Sequence, residues 1–215
     1  MTKKRSCYSY QRTFELSLAE IFKCILRDDH SMLQHLLTNS HIWVDIMDEN
    51  GNTPLMMACR MGFVKCVRRL ISNGADVLHV NRIGINALTL ASLSGSIEIM
   101  DILLKVSPIE QFIQRTIISP LSAAIFAGHL EAVQYLLQLH KPLYDTITRE
   151  GKDFQLIDNL LAASSLKGNS PLMLSIMFER PEIARLFWNE PAHFKNDLGM
   201  TALDILEYRA KFMEH

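Results

Sequence analysis

The chain repeats one phrase at a fixed step. Thr53 and Asn86, and again Asn86 and Ser119, stand 33 residues apart, and each opens a copy of it. The clearest copy runs Asp48-Glu49-Asn50-Gly51-Asn52-Thr53-Pro54-Leu55-Met56-Met57-Ala58-Cys59-Arg60-Met61-Gly62 and closes on Leu70-Ile71-Ser72-Asn73-Gly74-Ala75-Asp76. Other copies keep Asn86-Ala87-Leu88 with Ala91 and Gly95; Ser119-Pro120-Leu121 with Ala124, Gly128 and His129; Ser170-Pro171-Leu172; and Thr201-Ala202-Leu203-Asp204. A unit this short cannot bury its own apolar face, so each copy must be covered by its neighbours. The expected shape is a stack, not a single globular centre.

Within a unit the residues prescribe two helices. Thr53, Asn86, Ser119, Ser170 and Thr201 are N-cap residues, and proline follows at the first helical position in three of the five. Small residues (Ala58, Ala91, Ala124) let the first helix lie close to its neighbour, and Gly62, Gly95 and Gly128 permit a sharp turn into the second. Val67, Leu70 and Ile71, or Met100, Leu103 and Leu104, then share one helical stripe. Gly74 ends that helix and leads into a loop.

The phrase resembles the ankyrin repeat, whose pattern is D-x-x-G-x-T-P-L-H-x-A-A-x-x-G-H followed by an apolar helix, L-L and G-A-D. The resemblance implies an all-α solenoid of about five and a half helix-turn-helix units with hairpin-like loops, spanning residues 15–215 behind a flexible tail, residues 1–14. Its units are expected near 15–47, 48–80, 81–113, 114–140, 165–195 and 196–215, with an insertion at 141–164. The first is degenerate: Cys24 and Ile25 replace the paired alanines, Asp28 replaces the glycine, and Leu33, Leu36 and Leu37 supply the second helix. The fifth has Glu179 in place of the turn glycine and Arg180-Pro181 in place of Gly-His, which predicts a distorted turn. Inside the insertion, Phe154, Ile157, Leu160 and Leu161 fall at helical spacing. The last unit stops after one helix, so either Ile205, Leu206, Tyr208 and Phe212 make a long closing helix, which is the expectation favoured here, or the apolar face is left for a partner.

In the family, partners touch loop tips and the outward side of the first helices. Carried across position by position, the resemblance nominates Glu49, Asn50, Asn52, Arg60 and Met61 in the second unit, and Arg82, Ile83, Ile85 and Leu93 in the third. The fourth supplies Arg115, Ile118 and Phe126, and the fifth supplies Lys167, Met177 and Phe178. Thr116, Asn169 and Ser94 occupy related places. Many of these are apolar where the fold is not expected to need it, and arginines punctuate them, a composition suited to a protein interface.

The remaining chemistry is sparse. There are 22 Lys and Arg against 23 Asp and Glu, a balance with no strong pull toward nucleic acid or anionic lipid. Neither a signal peptide nor a membrane span is expected. Cys7, Cys24, Cys59 and Cys66 read as reduced thiols, mostly small buried side chains. No phosphate loop, dinucleotide fingerprint, HExxH or GxSxG elbow occurs. His129 reads as structural, and Asp48 and Asp197 as turn formers. The expectation is a non-enzymatic protein–protein interaction module without cofactor or metal, acting on a protein partner and not on nucleic acid, membrane or a small molecule, in the cytoplasm or nucleus. Small ankyrin stacks are similar in architecture to kinase-regulating inhibitors, which implies an adaptor or regulatory subunit of a protein kinase or cell-cycle complex. The alternative is a ubiquitin-ligase substrate recruiter or a pathogen-type effector.

Overall fold

The computed structural model describes residues 18–39, 42–114, 116–139, 168–189 and 193–213; the tail, the insertion, Arg115 and Lys167 lie outside them. The first unit pairs α1 (residues 18–26) with α2 (His30–Asn39), and the second pairs α3 (Pro54–Met61) with α4 (Val64–Ser72). The third pairs α5 (Ala87–Ser94) with α6 (Ile97–Val106) and adds a short α7 (Ile109–Ile113); the fourth pairs α8 (Pro120–Ala127) with α9 (Leu130–Leu139). The fifth pairs α10 (Pro171–Met177) with α11 (Pro181–Ala184), which continues as a 3-10 turn over Arg185–Phe187, and α12 (Ala202–Met213) closes the series. First helices pack on one another in the order α3, α5, α8, α10, α12, and second helices in the order α2, α4, α6, α9, α11. One apolar core runs along the stack from Ile21 to Phe187. This is the expected all-α solenoid.

The caps account for the helix starts. The side chains of Thr53, Asn86, Ser119 and Ser170 accept hydrogen bonds from the backbone N–H of Met56, Thr89, Ser122 and Met173, satisfying donors that a helix leaves orphaned. Thr201 caps α12 reciprocally: its hydroxyl accepts from the Asp204 N–H, while the Asp204 carboxylate accepts from the Thr201 N–H. Those bonds hold the Asp204 carboxyl below the usual aspartate range.

Two turns do without glycine. Asp28 and Glu179 adopt left-handed backbone, φ 51° and 57°, at the places where Gly62, Gly95 and Gly128 sit at φ 70° to 83°. The turn of the fifth unit therefore keeps its shape at a cost in strain. The distortion expected there falls instead on the helix that follows, which is short and ends in 3-10 geometry. The helix α7 was not anticipated: Pro108 starts it, and Phe112 and Ile113 go into the core in place of the usual loop.

The loops hold one another. Val80 and Asn86 form an antiparallel bridge, so the hairpin-like expectation is met at that loop. Asp48, Asn81 and Asn196 each accept two backbone N–H groups of their own loop, which fixes the tip. The turn former of the last loop is thus Asn196 and not Asp197. The Asn81 side-chain amide donates to the Asn52 side-chain oxygen Oδ1 at 2.8 Å, and that of Asn196 to Asn169 Oδ1 at 2.7 Å, so each of these tips is tied to the tip before it.

Nearer the N-terminus, the buried Asp45 carboxylate accepts the Asp76 N–H at 3.0 Å. Burial pushes the Asp45 carboxyl above its ordinary value despite that bond. A raised folded-state pKa means that the folded form holds the proton more tightly, so stability from this group is lost as pH rises past that value. Asp45→Asn keeps an acceptor for Asp76. Its stability relative to wild type is expected to climb as pH rises above about 3.9 and to level off past the raised pKa; urea melts of both proteins across that range check it, and a difference that stays flat or falls as pH rises would contradict it.

Candidate protein-binding face

The first helices α3, α5, α8 and α10 line one side of the stack and the loop tips border it. Across α5, α8 and α10 this side sinks into an apolar groove of about 230 Å³. Leu90, Ala123 and Leu174 form its floor, and Ile85, Leu93, Ile118, Phe126 and Phe178 form its walls. Phe126 and Phe178 meet edge to face, ring centres 4.9 Å apart, an arrangement aromatic rings favour. The polar side chains there are already occupied: the Thr89 hydroxyl donates to the Ile118 carbonyl at 3.1 Å, and Ser119 and Ser122 are hydrogen-bonded to each other. The groove offers apolar surface and little else.

Arg115 and Lys167 lie outside the described residues, and the other nominated residues divide into three groups. Glu49, Asn50, Arg60, Met61, Arg82, Ile83, Phe126 and Met177 are exposed, with Phe126 at 53% and Ile83 at 62%. Ile85, Leu93, Ile118 and Phe178 are half-buried; Ile85, Leu93 and Phe178 also pack against the core, so the fold does need apolar residues there, contrary to expectation. Asn52 is spent on structure, donating to Asp48 and accepting from Asn81. Thr116 and Asn169 are buried, and the Ser94 hydroxyl donates to the Cys59 carbonyl.

Ile117 was missed. It stands where Gly51, Gly84, Gly168 and Gly199 supply left-handed backbone in the other loops, and its side chain lies over Gly84 while its N–H donates to the Gly84 carbonyl at 2.7 Å. It is 56% exposed, and Ile83, the residue before Gly84, is exposed as well. The signal was available, since a β-branched residue cannot follow the glycine path.

His129 and Arg180 do related work. The His129 ring covers Gly95 with Nε2 3.1 Å from the Leu93 carbonyl; Arg180 covers Gly128 and donates to the Phe126 carbonyl at 3.1 Å. Each reads the carbonyl two residues ahead of the turn in the unit before it. The three described cysteines are buried and free; burial and the Asp28 carboxylate, 3.4 Å away, push the Cys66 thiol up to about 12. Among the described residues no cluster of His, Cys, Asp or Glu is placed to hold a metal, and no helix is long and apolar enough to cross a membrane.

A family model for ankyrin repeats, in three copies, matches residues 21–116. The DNA replication inhibitor plutonium of Drosophila melanogaster is 33% identical over 121 residues, 54% of this chain and 69% of that protein. The chain belongs to the ankyrin-repeat family. Human ankyrin repeat domain-containing protein 13B is 28% identical over 86 residues, and there the match spans 40% of this chain but only 14% of the relative. The crystal structure of the ankyrin repeat protein EF0377 superimposes with a TM-score of 0.66 at 22% identity, covering 90% of this chain and 92% of that one, which shows the fold. Ankyrin repeats bind other proteins and are typically non-enzymatic.

Proposed function

We propose that this ankyrin chain is a non-catalytic adaptor or regulatory subunit that holds a protein partner on its concave face. The groove between α5, α8 and α10 carries the reading. It is apolar, its polar atoms are already bonded within the protein, and Arg60, in the last turn of α3, and Arg82, at the tip of the loop before α5, are exposed. Burying an apolar side chain there costs no unsatisfied hydrogen bond, and aromatic and arginine side chains are the usual anchors of binding energy. Service to a protein kinase or cell-cycle complex, in the cytoplasm or nucleus, is the finer form of the proposal. The likeness to a protein named as a DNA replication inhibitor supports it.

The double variant Phe126→Ala with Arg82→Ala is expected to weaken partner capture by roughly 10-fold or more, since an anchor residue contributes at least ~1–2 kcal/mol. Arg82 is exposed and Phe126 gives up only its edge-to-face contact with Phe178, so the melting temperature should fall by no more than a few degrees. Affinity purification with mass spectrometry of both proteins checks this. A kinase complex lost from the variant supports the proposal; equal capture defeats it, and ligase subunits in its place favour substrate recruitment.

A further inference from the structure

Asparagine precedes glycine twice in the chain, at Asn50-Gly51 and Asn73-Gly74. Glycine has no side chain to shield its backbone nitrogen. Once that nitrogen gives up its proton to water, it can attack the side-chain amide carbon of the asparagine before it. A carbon–nitrogen bond forms, the amide nitrogen leaves as ammonia, and a cyclic imide remains. Water opens the imide at either carbonyl, giving aspartate or isoaspartate, in which the main chain runs through the former side chain. Water is the only co-reactant, and nothing is oxidised or reduced.

The two steps share their backbone arrangement. In each, the glycine is left-handed, φ 77° and 84°, and its N–H donates to the carbonyl three residues back at 3.0 Å, Gly51 to Asp48 and Gly74 to Ile71. The attacking nitrogen is therefore bonded alike in both, and the asparagine side chain decides between them. Asn73 is half-buried and donates its amide to the Arg69 carbonyl at 2.7 Å and to the Gln34 side-chain oxygen at 3.3 Å, which pins it across the joint of the first two units. Asn50 is exposed at a loop tip, and among the described residues its side-chain amide is bonded to nothing. Arg82 lies over Gly51, so the ring closes in the moments when the tip swings clear of it.

We propose that Asn50 is a site of spontaneous modification, converting to aspartate and isoaspartate through an imide closed by the Gly51 nitrogen, while the fold spares Asn73. The product changes the tip. The Asn50 N–H is held by Asp48 Oδ1 at 2.8 Å, and the Asn50 carbonyl accepts the Arg82 N–H at 3.1 Å. Isoaspartate inserts a carbon between those two groups, so they cannot both keep their partners. Either product also adds a negative charge beside Asp48 and Glu49, and like charges so close loosen a turn. On the concave-face reading Asn50 borders the partner, so the change reaches binding; the chemistry itself does not depend on that reading.

The test holds the purified full chain at neutral pH and body temperature for days and follows both sites by peptide mass spectrometry that separates aspartate from isoaspartate. Conversion at Asn50 should run ~10-fold or more ahead of Asn73, the rate penalty of first breaking the two bonds to the Asn73 amide. It should quicken as pH rises, because the nitrogen attacks without its proton, and Arg82→Ala, which uncovers Gly51, should quicken it further. Amide hydrogen exchange at Arg82 should be faster in the isoaspartate form. In concentrated urea the two sites should convert at like rates, since the fold alone separates them. Asn73 keeping pace with Asn50 in the folded chain overturns the proposal. So does a folded chain in which neither site converts while the urea-unfolded chain does, or a preference for Asn50 that survives unfolding.

Discussion

Leu103→Ala is expected to lower the free energy of unfolding by about 2–5 kcal/mol, the range for truncating a buried leucine that leaves a cavity. Leu103 is fully buried in α6, midway along a core that runs from the first unit to the fifth. In a stack, stability is close to a sum of unit terms and nearest-neighbour contacts. A cavity in the third unit therefore weakens its coupling to the second and the fourth as well as its own helices. The denaturant melt should shift to lower concentration and broaden or split as the two halves part company. A single, unshifted transition would show that the units are not coupled through α6.

Gly95→Ala is the second large effect, and it arises from two separate terms. The residue sits at φ 70°, where a side chain costs ~1–2 kcal/mol. A Cβ there would also come within 2.7 Å of the His129 ring, which has to move and so loses its bond to the Leu93 carbonyl, ~1 kcal/mol more. The expected total is about 2–3 kcal/mol. Adding His129→Ala relieves the clash but not the backbone strain, so the double variant should fall by less than the sum of the two single changes. Strict additivity in thermal or urea melts would show that the glycine and the ring are not in contact.

The fold was legible because it is written in residues whose roles are local. Thr53, Asn86, Ser119 and Ser170 announce helix starts and Gly62, Gly95 and Gly128 announce turns, whatever surrounds them. What the sequence withheld depends on the adjoining unit. Ile85, Leu93 and Phe178 read as free surface because nothing within their own unit requires them to be apolar, yet the neighbouring unit draws them half into the core. Asn52 read as available to a partner, but the asparagine that occupies it, Asn81, lies in the following loop. Arg180 read as a defect in the fifth unit, whereas it contacts the fourth, over Gly128. Tyr208 and Leu206 fitted a sealing helix by periodicity, and only the packing of α12 shows them turned outward.

Ile117 has one more effect. Asparagine side chains lock the tips of the second and third units together, and those of the fifth and sixth, through hydrogen bonds that tolerate little change of angle. Between the third and fourth units, where Ile117 lies on Gly84, hydroxyls and backbone take that work over: the Thr116 hydroxyl donates to the Gly84 carbonyl at 2.9 Å, the Ile117 N–H to the same carbonyl at 2.7 Å, and the Thr89 hydroxyl to the Ile118 carbonyl at 3.1 Å. The spine is therefore riveted at this level too, with rivets of a different make. That level borders the hollow holding Phe126, so the receptacle meets its occupant with walls already fixed in place.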